Sequence, residues 1–237
     1  MPAYPEDKHV YTSSDRLLKS LVRELKNPLI LIARHAELEK SVSGGKQAFG
    51  SIQDTAEKAL QLIDSYLLMA QAEYGQRNLP LETVGVGSVL YDVINDLRPY
   101  TREQKIDLST DIKDSSVMAN REGLKAAVWC LSEFVMAQEA DEPKLKKVRI
   151  LAGKSHDKVS VSVLSNQVEI TGKDIDLSRR IQGGAHLAGS KMPDSGIRLA
   201  IADILVNCLG SDLQIRKING MKGLSFDLSM SRQLKLV

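Results

Sequence analysis

Ser20-Leu21-Val22-Arg23-Glu24-Leu25-Lys26-Asn27-Pro28-Leu29 is the stretch on which the reading of this chain turns. Ser13, Ser14 and Asp15 supply helix-start chemistry just before it. Leu18, Leu21, Val22, Leu25, Leu29 and Ile32 then recur at three-and-four spacing, as do Ala33 and Ala36, and this predicts one apolar helical face. Pro28 lies inside that helix, where it removes one backbone donor and imposes a local kink. Ser41-Val42-Ser43-Gly44-Gly45 reads as a turn. A second helical run follows through Phe49, Ile52, Ala56, Leu60, Ile63 and Leu67, ending near Tyr74-Gly75. Two antiparallel helices bury little alone. Pairing two copies into a four-helix bundle solves that problem, so a homodimer through residues 13–75 is expected.

The pattern changes near residue 78. A short linker entering a strand, Asn78 to Val84, leads into a helix over Val89 to Leu97 that is expected to stop at Pro99. Lys105 to Ile112 alternates as a strand does. Val117-Met118-Ala119-Asn120 precedes a helix from Arg121 to about Gln138, and Val148–Ala152 and Val159–Val163 read as a strand pair. A helix from Gly196 to Cys208 and two short strands, near Leu213–Ile218 and Leu224–Met230, complete the series. The fold class is α+β: a helical hairpin over 1–77, then an α/β sandwich over 78–237 with a mixed sheet covered by helices on one face.

The opening stretch resembles the phosphoacceptor motif of sensor histidine kinases, roughly His-Glu-Leu-Arg-Thr-Pro-Leu. The Glu24-Leu25-Lys26-x-Pro28-Leu29 frame is kept, and Arg23 stands where the histidine belongs. Arginine stays protonated at physiological pH and offers no lone pair for attack on phosphorus. The later order of elements resembles the ATP-binding domain shared by histidine kinases, the heat-shock ATPase chaperone, gyrase B and MutL. The resemblance spans nearly the whole chain, in that family's domain order.

The family's nucleotide motifs map onto changed residues. Its Asn-x-x-x-Asn helix, which holds magnesium and phosphate, falls on Leu124 to Phe134, with the two asparagine positions at Cys130 and Phe134. A thiol and a phenyl ring provide none of the hard oxygen ligands magnesium needs. Glu133 and Glu139 are nearby carboxylates and read as a solvated helix face. The family's Asp-x-Gly-x-Gly motif falls on Ser165-Asn166-Gln167-Val168-Glu169. Ser165 replaces the adenine-binding aspartate, and Gln167 and Glu169 replace glycines that let the backbone approach the ligand. Asn166 or Asp174 is the alternative acceptor if the match slips. The glycine-rich phosphate loop retains only Gly196, with Asp194 and Arg198 at the flanking glycine positions. Gly210 and Gly223 match further family glycines and bear on the fold.

These changes imply a degenerate member, a pseudokinase with no cofactor and no metal. The partner surface implied is Arg23, Glu24, Lys26 and Asn27, offered to a response-regulator receiver domain or an active histidine kinase. Two alternatives stay open. One is a histidine phosphotransferase or kinase whose phosphoacceptor has moved to His35, about 120° around the helix from Arg23. The other is an anion-binding module using Lys191 and Arg198 near Gly196.

Bulk properties narrow the field. With 32 basic and 30 acidic residues and a net charge of +2, nothing global favours nucleic acid or a membrane surface. Aromatic residues make up 4%, too few for base stacking as a main activity. Cys130 and Cys208 lack metal-type spacing and read as reduced core cysteines. The polar N-terminus is no signal peptide, and no apolar run approaches the ~20 residues of a membrane span, so a cytoplasmic protein is expected, free-standing or part of a longer one.

Overall fold

The computed structural model describes residues 21–22, 25–32, 34–35, 46–73, 79–103, 106–113, 115–138, 145–182 and 196–231. Helical residues 21–22, 25–32 and 34–35 are labelled α1. The helix ends and turn expected at 13–15, 41–45 and 74–75 lie outside the described residues, as do Arg23 and Glu24. Helix α2, Lys46–Glu73, has 28 residues and is therefore about 42 Å long.

The second half is built on a five-stranded mixed sheet. Its strands are β2 (Asp107–Ile112), β4 (Lys147–Ser155), β5 (Lys158–Ser165), β6 (Gln214–Ile218) and β7 (Met221–Ser229), in the order β2-β4-β5-β7-β6. β2 runs parallel to β4 and the other pairings are antiparallel. Alternation along each strand sorts the two faces. Val159, Val161 and Val163 stand opposite Leu228, Phe226 and Leu224, and Ile150 stands opposite Val163. All of these are buried, and α4 (Arg121–Ala137) packs against β4 and β5. The other face carries Ser160, Ser162, Ser225 and Asp227, with Arg216 donating to the Ser160 hydroxyl.

Helix α3, Val86–Glu103, buries Val86, Val89, Leu90, Val93, Ile94 and Leu97, a stripe at helical spacing. It runs through Pro99 where a stop at that proline was expected. The ring costs a single backbone donor close to the helix end, while Tyr100 and Thr101 beyond it are buried and hold the last turn. Two elements were absent from the sequence reading. Strand β3, Ser116–Ala119, pairs antiparallel with β1, Glu82–Gly85. Helix α5, Gly172–Gln182, precedes α6, Gly196–Cys208, and packs on it.

One glycine is fixed by close approach. A Cβ on Gly223 would run into the Val163 carbonyl oxygen and lie 2.8 Å from Leu164 Cα, so β7 passes β5 with no room for a side chain. The β6–β7 hairpin turns on Asn219 and Gly220, whose φ angles of 49° and 77° are those of a two-residue turn matched to strand twist.

Candidate functional site

Helix α4 starts with a built cap. Asn120 Oδ1 accepts from the Gly123 N–H at 2.8 Å, and Asn120 Nδ2 donates to the Pro80 carbonyl at 3.2 Å. The cap fixes where the following turns face. Leu124, Val128, Leu131 and Val135 are fully buried in the core. Cys130, at 0% exposure, and Phe134, at 4%, occupy the positions where the resemblance places magnesium ligands. Neither has free surface to offer a ligand.

Helix α2 packs on both α4 and α6. Ser65 of α2 hydrogen-bonds the Cys130 thiol and donates its own hydroxyl to the Gln61 carbonyl at 2.7 Å. Burial pushes the thiol up to about 12; the Ser65 bond and the Arg198 charge act against that, and Glu133 adds to it. The group is thus a neutral, inert thiol at neutral pH.

One turn further along α4, the Glu133 carboxylate lies 3.9 Å from Lys58 Nζ of α2 and 3.9 Å from Arg198 Nε of α6. This carboxylate is nearly buried, which corrects the solvated face expected for it. Lys58 Nζ also sits 3.7 Å above the centre of the Tyr100 ring, and the Tyr100 hydroxyl donates to the Asp54 carbonyl at 3.2 Å. Burial, then the surrounding carboxylates led by Glu57, push the Tyr100 hydroxyl well above its ordinary value. A seam of charge and aromatic contacts therefore fastens α2 to α3, α4 and α6. Arg198 faces Glu133 in that seam; Asp194, Lys191 and Glu139 lie outside the described residues.

The adenine-anchor positions have structural work. Ser165 is 1% exposed at the end of β5, and its hydroxyl accepts from the Gln167 N–H at 3.2 Å. Asn166 Oδ1 accepts from the Lys147 N–H at 2.7 Å and its Nδ2 donates to the Leu145 carbonyl at 3.2 Å, which braces β4 against β5. Asp174 accepts from the Thr171 N–H at 2.7 Å and hydroxyl at 2.9 Å at the start of α5. Both alternative acceptors are engaged by backbone. Gln167 is half-buried, Glu169 is exposed, and Gly196 is buried as the first residue of α6. Sequence reasoning missed the buried Asp203 of α6, which takes Arg179 of α5 at 3.2 and 3.4 Å and ties the two helices together.

On the helical hairpin, Lys26 and Asn27 are exposed and His35 is half-buried, beside an exposed Arg34. Among the described residues the same segment exposes large apolar side chains: Val22 and Leu29 at 60%, Leu60 at 58% and Leu67 at 51%. No described helix is long and apolar enough to cross a membrane.

No family model matches the chain, and no curated protein matches it. Solved structures do. The histidine kinase AdeS of Acinetobacter baumannii is similar with a TM-score of 0.58 at 14% identity, over 88% of this chain and 98% of that one. A bacterial phosphotransferase is similar with a TM-score of 0.51 at 13% identity, over 97% of this chain and 98% of that one. The catalytic domain of the histidine kinase ThkA is similar with a TM-score of 0.51 at 17% identity, over 63% of this chain and 95% of that one. Identities this low speak for fold alone, and the fold of this chain is that of a histidine-kinase-type ATP-binding domain behind a helical segment.

Proposed function

We propose that this chain is a non-catalytic, histidine-kinase-like signalling protein of the cytoplasm that acts by protein–protein contact. It divides into a dimerisation hairpin, 1–77, and a degenerate ATP-binding domain, 78–237. The observation that carries the reading is the complete burial of Cys130 and near-complete burial of Phe134 beside α2, at positions where a nucleotide–magnesium complex needs exposed oxygen ligands. Ser165, engaged with Gln167, and Arg198, set against Glu133, add to it. Titrating ATP with magnesium into the purified protein by calorimetry tests the reading directly. No heat and no thermal shift are expected; saturable binding would overturn it.

The exposed Val22, Leu29, Leu60 and Leu67 support a homodimer through residues 13–75, because an apolar surface of this kind is covered when two hairpins form one bundle. Arg23, Glu24, Lys26 and Asn27 form the proposed docking surface for a receiver domain or an active kinase. Arg23→Ala with Lys26→Ala should abolish capture of a receiver domain while leaving the dimer intact; unchanged capture would remove that surface.

A second reading is favoured by the likeness to a bacterial phosphotransferase along 97% of the chain. In it His35 carries the phosphoryl group in place of Arg23. Acid-labile phosphate appearing on the protein from a phosphorylated receiver, and lost in His35→Ala, would establish it over the first.

A further inference from the structure

A cleft of about 320 Å³ opens between α2, α3 and α4, beside the Cys130–Glu133 seam, with Ser65 in its wall. This volume is at the lower end of the range for small-molecule sites, about 300–1,000 Å³. Its charged wall is unbalanced. Asp64 of α2, Asp96 of α3 and Glu122 of α4 line the cleft against one lining cation, Lys125, which lies 3.0 Å from Asp96. Asp64 and Glu122 are exposed.

Two further lining side chains hold unused hydrogen-bonding capacity. Trp129 is 2% exposed, and its indole Nε1 donor has no partner among the described residues. The acceptor Gln61 Oε1 on the opposite helix likewise has none. Native interiors rarely leave such groups unmatched, and a site that binds a ligand is one place where they do. A hydroxyl or amide carries both complements, accepting from an N–H and donating to a carbonyl oxygen. Leu68 and Ala126 supply the apolar part of the wall.

We infer that this cleft binds a small organic cation that also carries hydroxyl groups, of the amino-sugar or amino-alcohol class. The ammonium sits between Asp64 and Glu122, and a hydroxyl meets Trp129 and Gln61. Because one wall belongs to the hairpin and the other to the α/β half, an occupied cleft bridges α2 to α3 and α4. The site is an effector site by position: it joins the two halves, and it adjoins the degenerate nucleotide positions through Ser65 and Trp129.

Trp129 is the single tryptophan of the chain, so its emission reports on the environment of this one residue in the cleft wall. The full chain is titrated at constant ionic strength with glucosamine and ethanolamine, with glucose as the neutral shape match and glucuronate as the anionic one. A saturable change in Trp129 emission is expected with one of the amines below roughly 10 mM, and about tenfold weaker response to glucose and glucuronate. Asp64→Asn with Glu122→Gln, both at exposed positions, should weaken amine binding by about tenfold. No saturable change with either amine, an equal response to glucose, or binding untouched by the double substitution would each overturn the proposal.

Discussion

Helix α2 has two apolar stripes with opposite fates. Leu62 and Met69 are each 1% exposed, whereas Leu60 and Leu67 are 58% and 51% exposed. Members of each stripe are seven residues apart and share a face; the two stripes are rotated by about 200° from each other. One face is satisfied within the chain, against α4 and α6. The other has no partner among the described residues. A helix apolar on both sides is suited to two neighbours; the described residues supply one of them, and the proposed dimer would supply the other. The first face is therefore expected to govern the stability of the folded chain, and the second its association.

The strongest test of that division is Leu62→Ala. It empties a site that is fully enclosed, and a loss of about 2–5 kcal/mol in urea denaturation is expected. The same substitution should leave any self-association, normalised for the folded fraction, nearly unchanged. If Leu62→Ala cost no more than an exposed substitution does, α2 would not be docked as described.

The second face is broken by Leu60→Glu with Leu67→Glu. Two carboxylates in an apolar bundle seam should weaken the proposed dimer by about 2 kcal/mol or more, some thirtyfold in dissociation constant, read by sedimentation equilibrium. The folded monomer should keep its thermal stability. Unaltered association would place the dimer contact elsewhere or remove it.

The same contrast explains how much of this molecule was legible in its sequence. Elements whose apolar residues recur at one period were read correctly: the α4 run, and the Val159–Val163 alternation that became the central strand β5. Strand β3 was not, because four residues with two buried side chains carry no measurable period. Helix α5 is mostly polar, and its signal was local: Thr171 and Asp174 form a capping pair three residues apart, visible in the sequence and not used. At the candidate site the altered residues were legible through family resemblance and Cys130 through its apolar helical setting, whereas the burial of Phe134, Ser165 and Glu133 was not. Lys58, Ser65 and Glu133 look like solvated polar positions one at a time. They become a seam only once α2 lies on α4, a contact between segments some seventy residues apart that no local pattern encodes.

Alkaline pH probes the buried face from the inside. The Cys130 thiol titrates at about 12 in the folded chain against an ordinary 9.0. The native state therefore keeps a proton that the unfolded chain gives up from pH 9 upward. Its contribution to stability is full below pH 9 and is lost as pH rises towards 12, at up to about 1.4 kcal/mol per unit. Tyr100, raised for the same reason, adds loss at the upper end. Comparing the native chain with Cys130→Ala between pH 8 and pH 10 isolates the thiol: the native chain should lose about 1 kcal/mol more. Equal slopes would mean that the thiol is open to water and that α2 does not cover it.

The smallest expected effect is the most specific to the seam. Lys58 reaches Glu133 at 3.9 Å and Tyr100 at 3.7 Å, and its side chain is 23% exposed, so water screens part of the pair. Lys58→Met keeps the apolar stem and removes the charge, at an expected cost of about 1 kcal/mol. Glu133→Gln removes the other partner and leaves Arg198 facing a neutral amide, for a loss of similar size. Neither value alone identifies the contact, because each residue has a second neighbour. The double variant does: if the two side chains meet across α2 and α4, its loss falls short of the sum by about 0.5 kcal/mol. Strict additivity would separate α2 from α4 and reopen the face of Cys130 and Phe134 to a ligand.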